Sequence, residues 1–206
     1  MNIRSAAAGI VAGALLAGCA ATEEQEADPA TVRQIESRIT ALATLGPQDL
    51  DTDIEILGVY LRPASVPYLQ DALRSNSNAK IRAGAAMALG RAQDGRAVEP
   101  LASAAAGDAA PEVRYSAAYC LGLFRDPRGI PVLFEALRSA EPAYRRTAID
   151  CLYALTGEDY GYRPLATPEE RKVAVGRWEE WYGRLGPNGV APLLLPGGRV
   201  ASPPTR

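Results

Sequence analysis

Three stretches of this chain, spaced 32 and then 31 residues apart, carry the same residue types in the same order. Ile81-Arg82, Val113-Arg114 and Tyr144-Arg145 fall in register, followed by Ala85, Ala117 and Ala148, then by Leu89, Leu121 and Leu152. The same offset relates Val66, Val98 and Ile130; Leu69, Leu101 and Leu133; Gly58, Gly90 and Gly122; and Asp94 with Asp126. Self-similarity at one fixed period is the mark of a repeat architecture, in which each unit buries its apolar face only against its neighbours.

Each unit holds two apolar patterns of helical period separated by short turns. Ile130, Leu133, Ala136 and Leu137 make one, and Tyr144, Ala148, Cys151 and Leu152 the next. The unit therefore reads as an antiparallel helix pair, and the chain as all-α, a short α-solenoid with a C-terminal capping helix. Helices are expected over 30–44, 51–61, 65–74, 79–91, 96–106, 110–124, 128–139, 142–155 and 168–185. Pro67, Pro111, Pro131 and Pro168 suit first turns, where a missing N–H is harmless, while Gly90, Gly95, Gly107 and Gly122 suit helix ends and turns.

A helix ending in Gly, then Asp-x-Arg (Asp94-Gly95-Arg96, Asp126-Pro127-Arg128), a V-x-x-L helix and a second helix opened by an apolar-Arg pair together resemble HEAT-like repeats. They are of the short kind seen in phycobilisome-lyase relatives, and the resemblance covers about residues 51 to 155, half of the chain. It implies that Arg82, Arg114 and Arg145, beside the turn acids Asp94 and Asp126, form hydrogen bonds and ion pairs between repeats. It also brings in enzyme relatives, bilin lyases and di-iron hydroxylases of the oxidoreductase class. The hydroxylases hold iron through His-Glu pairs, and this chain has no histidine. An exported bilin lyase would not meet its cytoplasmic substrates.

Export is read from the first nineteen residues. Arg4 precedes an apolar run from about Ala6 to Ala17, which is signal-peptide length and too short to span a bilayer. Leu16-Ala17-Gly18-Cys19 resembles the lipobox of bacterial lipoproteins, which implies cleavage after residue 18, lipid on Cys19 and a palmitate-type acyl anchor. An ordinary secretory signal with an incidental Cys19 is the alternative. The resemblance further implies that Ala20, not being Asp, sends the chain to the outer membrane where the envelope has one. Residues 19–29 are acidic and read as a tether, 30–155 as the repeats, 156–185 as a linker and capping helix, and 186–206 as a disordered tail.

Without residues 1–18 the chain keeps 21 basic against 24 acidic residues, so no basic excess exists to bind nucleic acid. The absence of histidine removes the usual general base and the commonest metal ligand, and no cofactor or metal is expected. Glu158 and Asp159, or Glu169 and Glu170, are the carboxylate pairs to test as acid and base. Each lies at a turn or helix start, where acidic residues serve the backbone.

Cys120 and Cys151 occupy the same repeat position on helices whose axes should lie about 8–10 Å apart, against the ~7 Å that a disulfide tolerates between Cα atoms. Two buried, reduced thiols are expected, with a bridge as the alternative. Trp178 and Trp181, at i and i+3, are expected to cap the solenoid, a partner-docking face being the alternative.

A helical wheel of 112–123 places Tyr115 and Tyr119 opposite the apolar side, with no obvious core to enter. Equivalent positions carry Met87, Arg146 and Asp150, so the inner surface of the arc should present Met87, Tyr115, Tyr119, Arg146 and Asp150 to a protein partner. The chain thus reads as a monomeric, non-catalytic scaffold of the cell envelope. An enzyme relative and a structural subunit of an envelope assembly are the rival readings.

Overall fold

The computed structural model describes residues 27–190, with side chains to residue 185. The signal segment, Cys19 and residues 191–206 lie outside the described residues. Nine α-helices make up the described part: α1 (Pro29–Ala41), α2 (Pro47–Glu55), α3 (Val66–Ser75), α4 (Ala79–Ala92), α5 (Val98–Gly107), α6 (Pro111–Leu123), α7 (Ile130–Leu137), α8 (Pro142–Thr156) and α9 (Pro168–Val190). No strand occurs among them. A π-helical turn, Ile56–Tyr60, prolongs α2, and 3-10 turns at Gly95–Ala97 and Pro127–Gly129 lead into α5 and α7.

The starts of these helices follow from local chemistry. Asp28 accepts from the backbone N–H groups of Ala30 and Thr31 at 2.9 and 3.1 Å and caps α1. Asp94 and Asp126 cap the two 3-10 turns, each accepting from the N–H two residues on at 2.9 Å. Their carboxylates also bind the guanidinium groups of Arg96 and Arg128, so the Asp-x-Arg motif is a self-contained turn. Thr167 and Glu170 form a reciprocal capping box at the start of α9.

Helices α3/α4, α5/α6 and α7/α8 are antiparallel pairs, with α1 packed on α3 and α4. The second helices form a layer, α2 with its π turn on α4, α4 on α6, and α6 on α8. One core runs through the stack. Leu69, Leu101 and Leu133 supply it from the first helices, and Leu89, Leu121 and Leu152 from the second.

Helices α4 and α6 come unusually close because their facing residues are small. A Cβ at Gly90 would lie 2.4 Å from the Cys120 sulfur, and one at Gly122 would lie 2.4 Å from the Cys151 sulfur. Gly58 meets the Ala88 carbonyl in the same way, at 2.5 Å. These glycines therefore lie within helical turns as close-packing positions, which corrects the expectation that Gly90 and Gly122 end their helices. The ends are set by left-handed residues: Gln93 (φ 50°), Arg125 (φ 56°) and Gly157 (φ 78°).

The cap forms as expected. Trp178 and Trp181 are buried, and Trp178 packs 6.0 Å from the Phe134 ring of α7 and 4.5 Å from Tyr160 of the linker. The Tyr162 hydroxyl donates to the Leu137 carbonyl at the end of α7. Helix α9 extends to Val190, five residues into the segment read as a tail; that reading for 191–206 lies outside the described residues. No helix among the described residues is long and apolar enough to cross a membrane.

Candidate functional site

The face to test is the solvent side of α4, α6 and α8, where the fold places the five expected residues in adjacent rows. Tyr115 and Tyr119 lie one turn apart on α6, and Met87 and Asp150 occupy the position of Tyr119 on the helices to either side. Arg146 stands one turn before Asp150 and is exposed with it, whereas Met87, Tyr115 and Tyr119 are half-buried.

The tyrosines are less free than the helical wheel implied. Tyr115 meets Tyr144 of α8 edge-on at 5.2 Å, and its hydroxyl lies 3.3 Å from a Glu135 carboxylate oxygen. The Arg114 guanidinium stands 6.0 Å from its ring centroid. Tyr119 packs against the core, and burial raises the pKa of both phenols. Neighbouring helices approach closely enough to clasp the ring bases, which a wheel drawn on one helix cannot show. Both rings are thus packed against their neighbours and remain partly exposed.

Tyr144 belongs to this row but was read from the sequence as a core residue, because it holds the place of Ile81 and Val113. An aromatic at a position otherwise aliphatic was the available signal. Leu123 and Tyr153 were missed as well, and both are exposed near the ends of α6 and α8.

Beneath the face, three arginines tie the units together. Arg82 donates to both Asp108 oxygens at 2.8 Å and to the carbonyls of Asn76 and Ser77. Arg114 binds the Glu135 carboxylate and the carbonyls of Asp108 and Ala109. Arg145 donates to the Pro164 carbonyl at 2.8 Å and to those of Ser139 and Ala140. Each rung clamps the turn before its own helix and reaches forward to the next unit. The acceptors are therefore Asp108, Glu135 and Pro164, not the turn acids Asp94 and Asp126. Hydrogen bonding from Arg82 holds the Asp108 carboxyl below its ordinary range.

Cys120 and Cys151 are free and buried. The Cys120 thiol donates to the Ala86 carbonyl at 3.2 Å, and burial pushes both thiols up to about 12. Neither is poised as a nucleophile near neutral pH. Asp159 accepts from the Gly161 N–H at 2.7 Å and pairs with Arg163, which leaves it a turn residue. Among the described residues no group of three or more His, Cys, Asp or Glu could hold a metal ion.

A cleft of about 670 Å³ opens on the other layer, between Leu73 and Arg74 of α3 and the small residues Ser103, Ala104 and Gly107 of α5. Its charged side chains already have partners, Arg82 with Asp108, Arg74 with Asp71 and Glu99 with Arg128.

No curated protein matches this chain. A family model for HEAT repeats matches residues 36–119 and again 98–163, together more than half of the chain. The repeat register, the helix pairs and this match agree: the chain belongs to the HEAT-repeat family.

Proposed function

We propose that this chain is a lipid-anchored, non-catalytic scaffold that holds a protein partner at the bacterial cell envelope through the face of α4, α6 and α8. The observation that carries the reading is the half-buried row of Met87, Tyr115, Tyr119 and Tyr144, bordered by exposed Arg146 and Asp150. Aromatic residues, Met and Arg are the types that interface cores favour. Rings already fixed by packing lose little freedom when a partner arrives, which lowers the cost of association. The non-catalytic reading rests on a sequence without histidine and on two thiols held protonated. Anchoring rests on Leu16-Ala17-Gly18-Cys19, and an outer-membrane address on Ala20.

The test is in-cell crosslinking and affinity capture of the full chain beside two variants, Tyr115→Ala/Tyr119→Ala and Arg146→Glu/Asp150→Lys. Both should lose the partner that the parent captures. The charge-reversal variant should do so with an unchanged melting curve, because its residues are exposed. Capture of the same partner by both variants refutes this face. Labelled palmitate should enter the parent and not Cys19→Ala; equal labelling of the two would remove the anchor from the proposal.

A further inference from the structure

The second helices keep one register from unit to unit. A Cβ at Gly58 would lie 2.7 Å from the Arg91 Cβ, and one at Gly90 would lie 3.5 Å from a Leu123 methyl. The C-terminal ends of the π turn after α2, of α4 and of α6 therefore lie side by side on one edge of the layer. One repeat position along that edge holds Val59, Arg91 and Leu123, all exposed. Tyr60 adjoins it with 74% of its surface open, whereas the equivalent Ala92 is fully buried.

Arginine accompanies these apolar side chains. Arg62 donates to the carbonyl of Ala92, next in the chain to Arg91, and Arg125 follows the end of α6. The carboxylates of the neighbouring turns are already bound, Asp94 by Arg96, and Asp126 and Glu99 by Arg128. Exposed cations thus stand among exposed aromatic and aliphatic groups. A guanidinium binds phosphate oxygens in bidentate fashion, and a tyrosine ring, apolar with a polar tip, suits the headgroup level of a bilayer. A basic patch is also the second signal that reinforces an acyl anchor on an anionic membrane. Cys19 stands nine residues before Asp28, and nine extended residues reach at most about 30 Å, so lipid on Cys19 keeps the repeats beside the bilayer.

We infer that this edge, through Val59, Tyr60, Arg62, Arg91 and Leu123, lies on an anionic phospholipid surface. Met87 and Tyr119 come one turn before Arg91 and Leu123, so the partner face stands upright from the bilayer. The inference rests on the anchoring reading above for how the chain reaches a membrane, and not on the partner.

A photo-crosslinking residue in place of Tyr60, Leu123 or Leu165 tests it, in the full chain on vesicles of phosphatidylethanolamine and phosphatidylglycerol. Leu165 is the control because it is exposed and follows Pro164, which Arg145 holds at the opposite edge, by the start of α8. Mass spectrometry of the same preparation reports natural lipidation separately. A chain without acyl groups is coupled through its Cys19 thiol to a maleimide-bearing lipid, Cys120 and Cys151 being buried, so the edge is tested either way. Lipid adducts are expected from positions 60 and 123, and severalfold fewer from 165. Arg91→Glu, and vesicles of phosphatidylcholine alone, should each lower the yield at 123 severalfold. Equal yields at 123 and 165, or yields indifferent to lipid charge and to Arg91→Glu, would overturn the inference. So would adducts to residues 20–28 or to a second copy in place of lipid, or no adducts at all.

Discussion

Replacing Gly122 by Ala should reverse its effect on stability according to what stands at position 151. In the parent, the new Cβ would meet the Cys151 sulfur at 2.4 Å, and its next neighbour, a Leu155 methyl, at an ordinary 3.5 Å. Non-bonded heavy atoms settle near 3.5–4.0 Å, so α6 and α8 must part by about 1 Å or distort. Overpacking of this size costs about 1–3 kcal/mol, offset in part by the ~0.8–1.0 kcal/mol that Ala gains over Gly in a helix. A net loss of about 1 kcal/mol is expected. In Cys151→Ala the clashing atom is gone and only the helix gain remains, so the second substitution should stabilise by up to about 1 kcal/mol. The coupling between the two sites is then on the order of 2 kcal/mol, read as shifts of the urea midpoint in a four-member cycle. Equal effects of Gly122→Ala in both backgrounds would refute the close-packing argument. Gly90 supplies a contrast. There the Cys120 Cβ itself lies 2.9 Å from the added carbon, so Cys120→Ala should rescue Gly90→Ala only in part.

Three further outcomes are expected. Arg82→Met should cost about 1.5–3 kcal/mol by unpairing Asp108; because the Asp94, Asp108 and Asp126 pKa values lie below those of the unfolded chain, their stabilisation is full above pH ~4 and fades as pH falls through the folded values, and the variant should show a shallower acid slope in pH-dependent urea melts. Trp178→Ala should cost roughly 3–5 kcal/mol, and calorimetry showing a loss under about 1 kcal/mol would contradict the capping role. Cys120 and Cys151 should resist iodoacetamide until the chain unfolds; since their folded pKa of about 12 exceeds the unfolded ~8.5, the thiols stabilise fully below pH ~8.5 and progressively less toward 12, a decline that Cys→Ala variants should lessen.

The repeat made most of the fold legible before any coordinates. Residues such as Leu89, Leu121 and Leu152 meet the same neighbours in each unit, so one register predicts all three burials. What stayed hidden depends on distances between units. Gly90 and Gly122 were read as helix ends because their local signal is the same as that of a close-packing glycine, and only the sulfur above each one decides. Arg82, Arg114 and Arg145 were identified as inter-repeat residues, but their acceptors are non-periodic: a carboxylate in a turn, a carboxylate on a helix and a proline carbonyl. The candidate face was found by position on one helix, whereas Tyr144 joined it only through the approach of α8 to α6. The cleft beside α5 left no trace in the pattern, since small residues there look like ordinary helix formers.

The three arginine rungs also give the array a direction. Arg82 reaches forward to Asp108, Arg114 to Glu135, and Arg145 to the Pro164 carbonyl of the linker. Each unit is therefore fastened to the one after it by a guanidinium anchored at the start of its own helix, so a break in one rung loosens a single joint and leaves the others made.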